Sequence, residues 1–162
     1  MEEKLNDLYI EIAEIVNEMI PENWSEFYFY AQISETGGRT YFFYKPASDA
    51  EGYKYSLEIP YEYNINEKEF KVNDRKLFAL SDKMRKIFKD EEQELWHSFT
   101  LILEITGKLK VYFDYTNWFD TNYSFNDQLT IWEYKYLNEI PEDIKSKELI
   151  KKYIEEYPDN PI

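Results

Sequence analysis

The sequence predicts an α+β fold: a single domain over 1–162 in which β-hairpins form an antiparallel sheet and helices pack on one face. Three observations predict it. Segments 24–45 and 98–115 alternate apolar and polar residues with a period of two around a glycine-containing turn. Segments 3–20 and 75–90 repeat apolar residues at helical spacing. Hairpins separated by helices, without strict strand–helix alternation, favour an antiparallel sheet.

In chain order, Leu5, Leu8, Ile12, Ile15 and Met19 recur at spacings of three and four, and Pro21 ends that helix. Its other faces are acidic: Glu2, Glu3, Asp7, Glu11, Glu14 and Glu18 against Lys4 alone. Such a ridge is a solvated face, and also what a basic partner would meet. Phe27, Phe29, Ala31 and Ile33 then share one strand face, with Tyr28, Tyr30 and Gln32 on the other. Thr36-Gly37-Gly38 joins strands 24–34 and 39–45, since glycine accepts positive φ. The pair lacks the Lys-Ser/Thr of a phosphate-binding loop and reads as a turn.

Residues 47–52 read as a loop, and YKYSLEIPYEY as an edge strand interrupted by Pro60. From about Asp74 the apolar set is Leu77, Leu80, Met84, Ile87 and Phe88, with Lys83, Arg85, Lys86 and Lys89 expected in solvent. In the second hairpin, Phe99, Leu101, Leu103, Ile105, Leu109, Val111, Phe113 and Tyr115 form one face. Lys110, Tyr112 and Asp114 lie on the other. FDTNYSFNDQ (119–128) reads as a loop, 129–136 as a further strand, and Pro141 to Tyr157 as a last helix with Ile150, Tyr153, Ile154 and Tyr157 as its stripe.

The formal charge is -14, from 33 acidic and 19 basic residues, which argues against direct nucleic-acid binding. It favours attraction of basic partners at a distance. Sixteen tyrosines among 19% aromatic residues are too many to be core alone, because each buried hydroxyl needs a partner. Absence of cysteine removes disulfides, thiol nucleophiles and cysteine-based metal sites. The acidic N-terminus lacks a signal-peptide pattern, and no apolar run nears the roughly 20 residues a membrane helix needs. A cytoplasmic protein without membrane contact is expected.

No catalytic, cofactor or metal residues are expected. His97, the single histidine, has no nucleophile motif beside it. Asp114, Asp120 and Asp127 match no known metal-loop spacing. Paired carboxylates leave a small carboxylate-dependent hydrolase as the enzymatic alternative.

Three stretches, IPENWSEFYFYAQISETGGRTYFFYKP (20–46), DYTNWFD (114–120) and WEYKYL (132–137), together resemble the YezG/EsaG family of bacterial immunity proteins. The resemblance spans most of the chain and carries no catalytic signature. It implies an antitoxin of Gram-positive LXG polymorphic toxin systems, one that binds and neutralises a secreted nuclease toxin inside the producing cell. The SMI1/KNR4-like adaptor and immunity domains, also small, acidic and α+β, are a second alternative. A nuclease cleft holds phosphates and is basic, so an acidic, tyrosine-rich surface complements it. Strand parity and residue chemistry nominate Tyr28, Tyr30, Tyr112, Asp114, Asp120 and Asp127 as partner contacts. The sequence leaves open the toxin's identity and the oligomeric state of the free protein, with a monomer compatible.

Overall fold

A computed structural model of the protein describes residues 1–48 and 52–159. Residues 49–51 of the loop expected at 47–52 lie outside the described residues. The helices are α1 (Glu2–Met19), α2 (Ile59–Glu62), α3 (Glu67–Asp90), α4 (Phe125–Leu137) and α5 (Ile144–Glu156). The strands are β1 (Trp24–Ser34), β2 (Gly37–Pro46), β3 (Lys54–Tyr55), β4 (Ser98–Glu104) and β5 (Leu109–Asp114). They form one five-stranded sheet in the order β3-β2-β1-β4-β5. The α+β class and the antiparallel sheet are as expected. The chain divides into two compact units, Met1–Phe113 and Asp114–Ile162.

In the first unit, β1 is the central strand, antiparallel to β2 on one side and β4 on the other. Phe29 faces Phe42 across one ladder and Leu101 across the other. One sheet face supplies Phe27, Phe29, Ala31, Ile33, Phe42, Tyr44, Phe99 and Leu101 to the core. Against it lie Leu5, Leu8, Ile12, Val16 and Met19 of α1 and Phe70, Leu77, Met84 and Phe88 of α3. Both helices thus present the apolar stripe that their spacing dictates. Ile20 adopts an extended conformation before Pro21 and ends α1.

The β1–β2 turn is Glu35–Thr36, followed by Gly37 at φ +137. A Cβ on Gly38 would stand 1.8 Å from the Gln32 carbonyl oxygen, so only glycine lets the two strands approach this closely.

Several sequence expectations are corrected in this unit. Helix α3 begins at Glu67, well before 75, because the Asn66 side chain accepts from the Lys68 and Glu69 backbone N–H groups. The segment read as a strand around Pro60 keeps only Lys54–Tyr55 extended; Pro60 sits in the first turn of α2, where its missing N–H is harmless. Arg85 is buried, donating from Nε to the Trp96 carbonyl at 3.1 Å and from Nη1 to Glu35 at 2.9 Å. The far end of the β4–β5 hairpin leaves the core, with Ile105 63% exposed and Leu109 also in solvent.

The second unit contains the largest correction. Residues 129–136 are helical, within α4, and not a strand. Ser124 accepts from the Asp127 N–H while the Asp127 carboxylate accepts from the Ser124 N–H, which is a capping box. Asn138 closes the other end in a left-handed conformation, φ 56. The aromatic, alternating letters of this segment favour strand, but capping and packing of Ile131, Trp132 and Leu137 override that preference. Asp143 caps α5 by accepting from the Ser146 N–H at 2.9 Å. Ile150 and Tyr153 are buried, whereas Ile154, expected in the apolar stripe, is exposed.

Candidate functional site

The sheet's second face, on which strand parity places Tyr28, Tyr30 and Tyr112, is not uniformly open. Tyr30 is 5% exposed and stacks on Tyr41, its cross-strand neighbour, at 4.9 Å. Tyr41, Phe43, Gln32, Ser98 and Thr100 on the same face are buried too. Accessible residues begin one row further along. Tyr28 is half-buried, packs edge-on against Tyr53 at 5.7 Å, and has its hydroxyl pKa raised by burial and by Glu26. Tyr112 is 47% exposed. Tyr28 and Tyr112 line one shallow groove with Glu26, Ile102 and Glu104.

The three nominated aspartates divide. Asp114 is 5% exposed, against an expectation of a surface contact. It accepts from the Trp118 indole at 2.6 Å and from the Thr116 N–H at 3.0 Å. Burial raises its carboxyl above the usual range, against the pull of these hydrogen bonds and of Lys135. Burial likewise lowers Lys135, with the attraction of Asp114 opposing. Strand parity carries no information on the depth of such a residue. Asp127, placed in a loop by the sequence, is the half-buried capping residue of α4. Asp120 is exposed and accepts from Asn117 Nδ2 at 2.8 Å.

Part of the tyrosine excess has a structural explanation that composition alone did not reveal. Tyr44 and Tyr63 both donate to Glu22 Oε2, at 2.6 and 2.5 Å, and Lys54 donates to the Tyr63 hydroxyl at 2.6 Å. Burial tends to raise Glu22, but the hydrogen bonds from Tyr44 and Tyr63 and the charge of Lys54 outweigh it, holding the carboxyl below its usual range. Tyr53 donates to Glu26. Tyr123 donates to Glu156 at 3.1 Å; burial, then this bond, push its pKa up to about 12. Each pair satisfies a phenol that burial would otherwise strand.

Negative charge is concentrated on α1. Its six carboxylates are exposed, and no ion pair neutralises any of them among the described residues. Among the described residues no group of three or more histidines and carboxylates is placed to hold a metal ion. No helix is long and apolar enough to cross a membrane among the described residues. His97 lies at the entry to β4, and its backbone carbonyl accepts from the Ile33 N–H at 3.0 Å.

Comparison with known proteins gives a consistent answer. The family model described as "Immunity protein YezG-like" matches residues 5–151. "Type VII secretion system protein EsaG" of Staphylococcus aureus is 35% identical over 159 residues, covering 96% of each chain. "Immunity protein YezG" of Bacillus subtilis is 29% identical over 150 residues, covering 93% of this chain and 99% of its own. The protein of the same name from Bacillus spizizenii is 29% identical over 154 residues, covering 93% of each.

Proposed function

The chain belongs to the YezG-like immunity protein family, and we propose that it neutralises a cognate nuclease toxin by binding the toxin's catalytic domain in the cytoplasm of the producing cell. The observation that carries the nuclease part is the field of the protein: a charge of -14 with an unpaired acidic helix, α1, at its surface. A nuclease domain must hold phosphates and so presents a basic cleft. Opposite charge of this size accelerates encounter and suppresses wrong partners. Binding strength then comes from buried anchors rather than from rim charges. Tyr28 and Tyr112 are the nominated residues whose rings reach an accessible groove. Tyr30 is stacked in the sheet, Asp114 accepts from Trp118, and Asp127 caps α4. On this reading the protein has no turnover of its own.

Co-expression tests the reading. Cells producing the toxin encoded beside this gene survive when the protein is present and die when it is absent. Death in both cases removes the immunity role. Death of unprotected cells without any DNA or RNA damage removes the nuclease.

A further inference from the structure

The groove at the accessible end of the outer sheet face has a volume of ≈ 120 Å³. Two tyrosines, Tyr28 and Tyr112, line it together with Glu26 of β1 and Glu104 of β4. These two glutamates are direct cross-strand partners. Like charges in that position destabilise a sheet. Lys45 faces Glu26 from β2, the Tyr53 hydroxyl donates to Glu26, and Lys108 and Lys110 also line the groove. Neither Glu104, Lys108 nor Lys110 forms an ion pair among the described residues. The hydroxyl of Tyr28 feels both carboxylates, after burial the main charges raising its pKa.

We propose that this groove receives one arginine side chain of the toxin, its guanidinium bridging Glu26 and Glu104 and lying against the rings of Tyr28 and Tyr112. The inference rests on the immunity reading above. Arginine fits for two reasons. Its planar fork donates to two acceptors at once, which a lysine ammonium cannot match in geometry. Its flat face also stacks on tyrosine. The two glutamates and three lysines leave the groove without net negative charge, so selection here depends on fork geometry and stacking rather than on the long-range field. In the free protein Tyr53 and Lys45 offset the charge of Glu26 only in part, and the guanidinium supplies Glu104 with a cationic partner.

This mechanism gives opposite signs for neighbouring substitutions. Glu26→Gln/Glu104→Gln keeps or raises the melting temperature of the free protein and weakens binding to the toxin domain by about tenfold or more. Lys108→Ala/Lys110→Ala removes competing cations and tightens binding. A double amide that binds as well as wild type, or that loses binding only in step with its fold, overturns the proposal. So does weaker binding by the lysine variant. A toxin-independent arm separates this failure from failure of the immunity reading: titration of the protein with N-acetylarginine amide or N-acetyllysine amide, followed by NMR of the tyrosine rings. The arginine compound is expected to shift Tyr28 and Tyr112 in wild type but not in the double amide, and the lysine compound to shift them less. No preference for arginine contradicts the site even if the protein protects cells.

Discussion

The Trp118 indole donates to the buried Asp114 carboxylate at 2.6 Å, and the Thr116 N–H shares the same acceptor group. Two donors therefore depend on one aspartate at the start of the second unit. Asp114→Ala leaves both without their partner and is expected to cost about 1–3 kcal/mol. Urea denaturation followed by tryptophan fluorescence measures it. An unchanged midpoint would show that the bond contributes nothing.

The same aspartate sets a pH dependence. Burial raises the folded Asp114 carboxyl, so the folded protein keeps a proton that the unfolded chain releases. The stability contributed by the protonated form is fully present below the ordinary aspartate pKa of about 3.9. It is lost as pH rises through the raised folded value. Asp114→Asn abolishes this component, and the difference between the two stability curves across that window reads it directly.

Leu101 is 0% exposed on the core face of β4, between the aromatic residues of the sheet and the two long helices. Leu101→Ala is expected to destabilise by about 2–5 kcal/mol, measured as a drop in denaturation midpoint. Ile105→Ala, four residues on in a side chain largely in solvent, should change stability by about 0.5 kcal/mol or less. Equal effects at the two positions would contradict the described end of the core.

Gly38→Ala tests the first hairpin. Its Cβ would meet the Gln32 carbonyl at 1.8 Å, so the β1–β2 ladder must shift locally. Loss of hydrogen-exchange protection around Gln32 and Ile33 is expected, and full protection would show that the turn has room to spare.

How much of this was legible beforehand depended on which physical signal each residue carries. The β1–β2 hairpin and the core face of Phe27, Phe29, Ala31 and Ile33 were readable because residue types alternate there with a period of two. The strands of the β4–β5 hairpin were readable for the same reason, but how far its core extends was not. Ile105 and Leu109 keep the parity of core residues although their side chains are in solvent. Helix α4 was missed because Thr130 to Tyr136 alternates and is rich in aromatics, while its helical signal sits upstream in Ser124 and Asp127. Asp114 shows a different limit. Period-two patterning tells which side of a strand a residue faces, and not whether that side is covered. The groove of Tyr28, Glu26, Glu104 and Tyr112 depends on strand register across β1 and β4, which no local pattern encodes.

Catalysis by carboxylates is the enzymatic rival to inhibition. Hydrolase and nuclease assays of the purified protein, with and without divalent cations, are expected to stay at background. Turnover that disappears with Glu26→Gln/Glu104→Gln would instead make the groove an active site.

The most direct measurement is inhibition of the toxin itself. The nuclease domain of the toxin encoded beside this gene is titrated with the protein while DNA and RNA cleavage are followed. Association should exceed the unsteered rate, on the order of 10⁵–10⁶ M⁻¹s⁻¹, and slow as salt is added. Cleavage should fall linearly with added protein and vanish at an equimolar ratio. Undiminished cleavage in the presence of excess protein would contradict direct neutralisation of a nuclease.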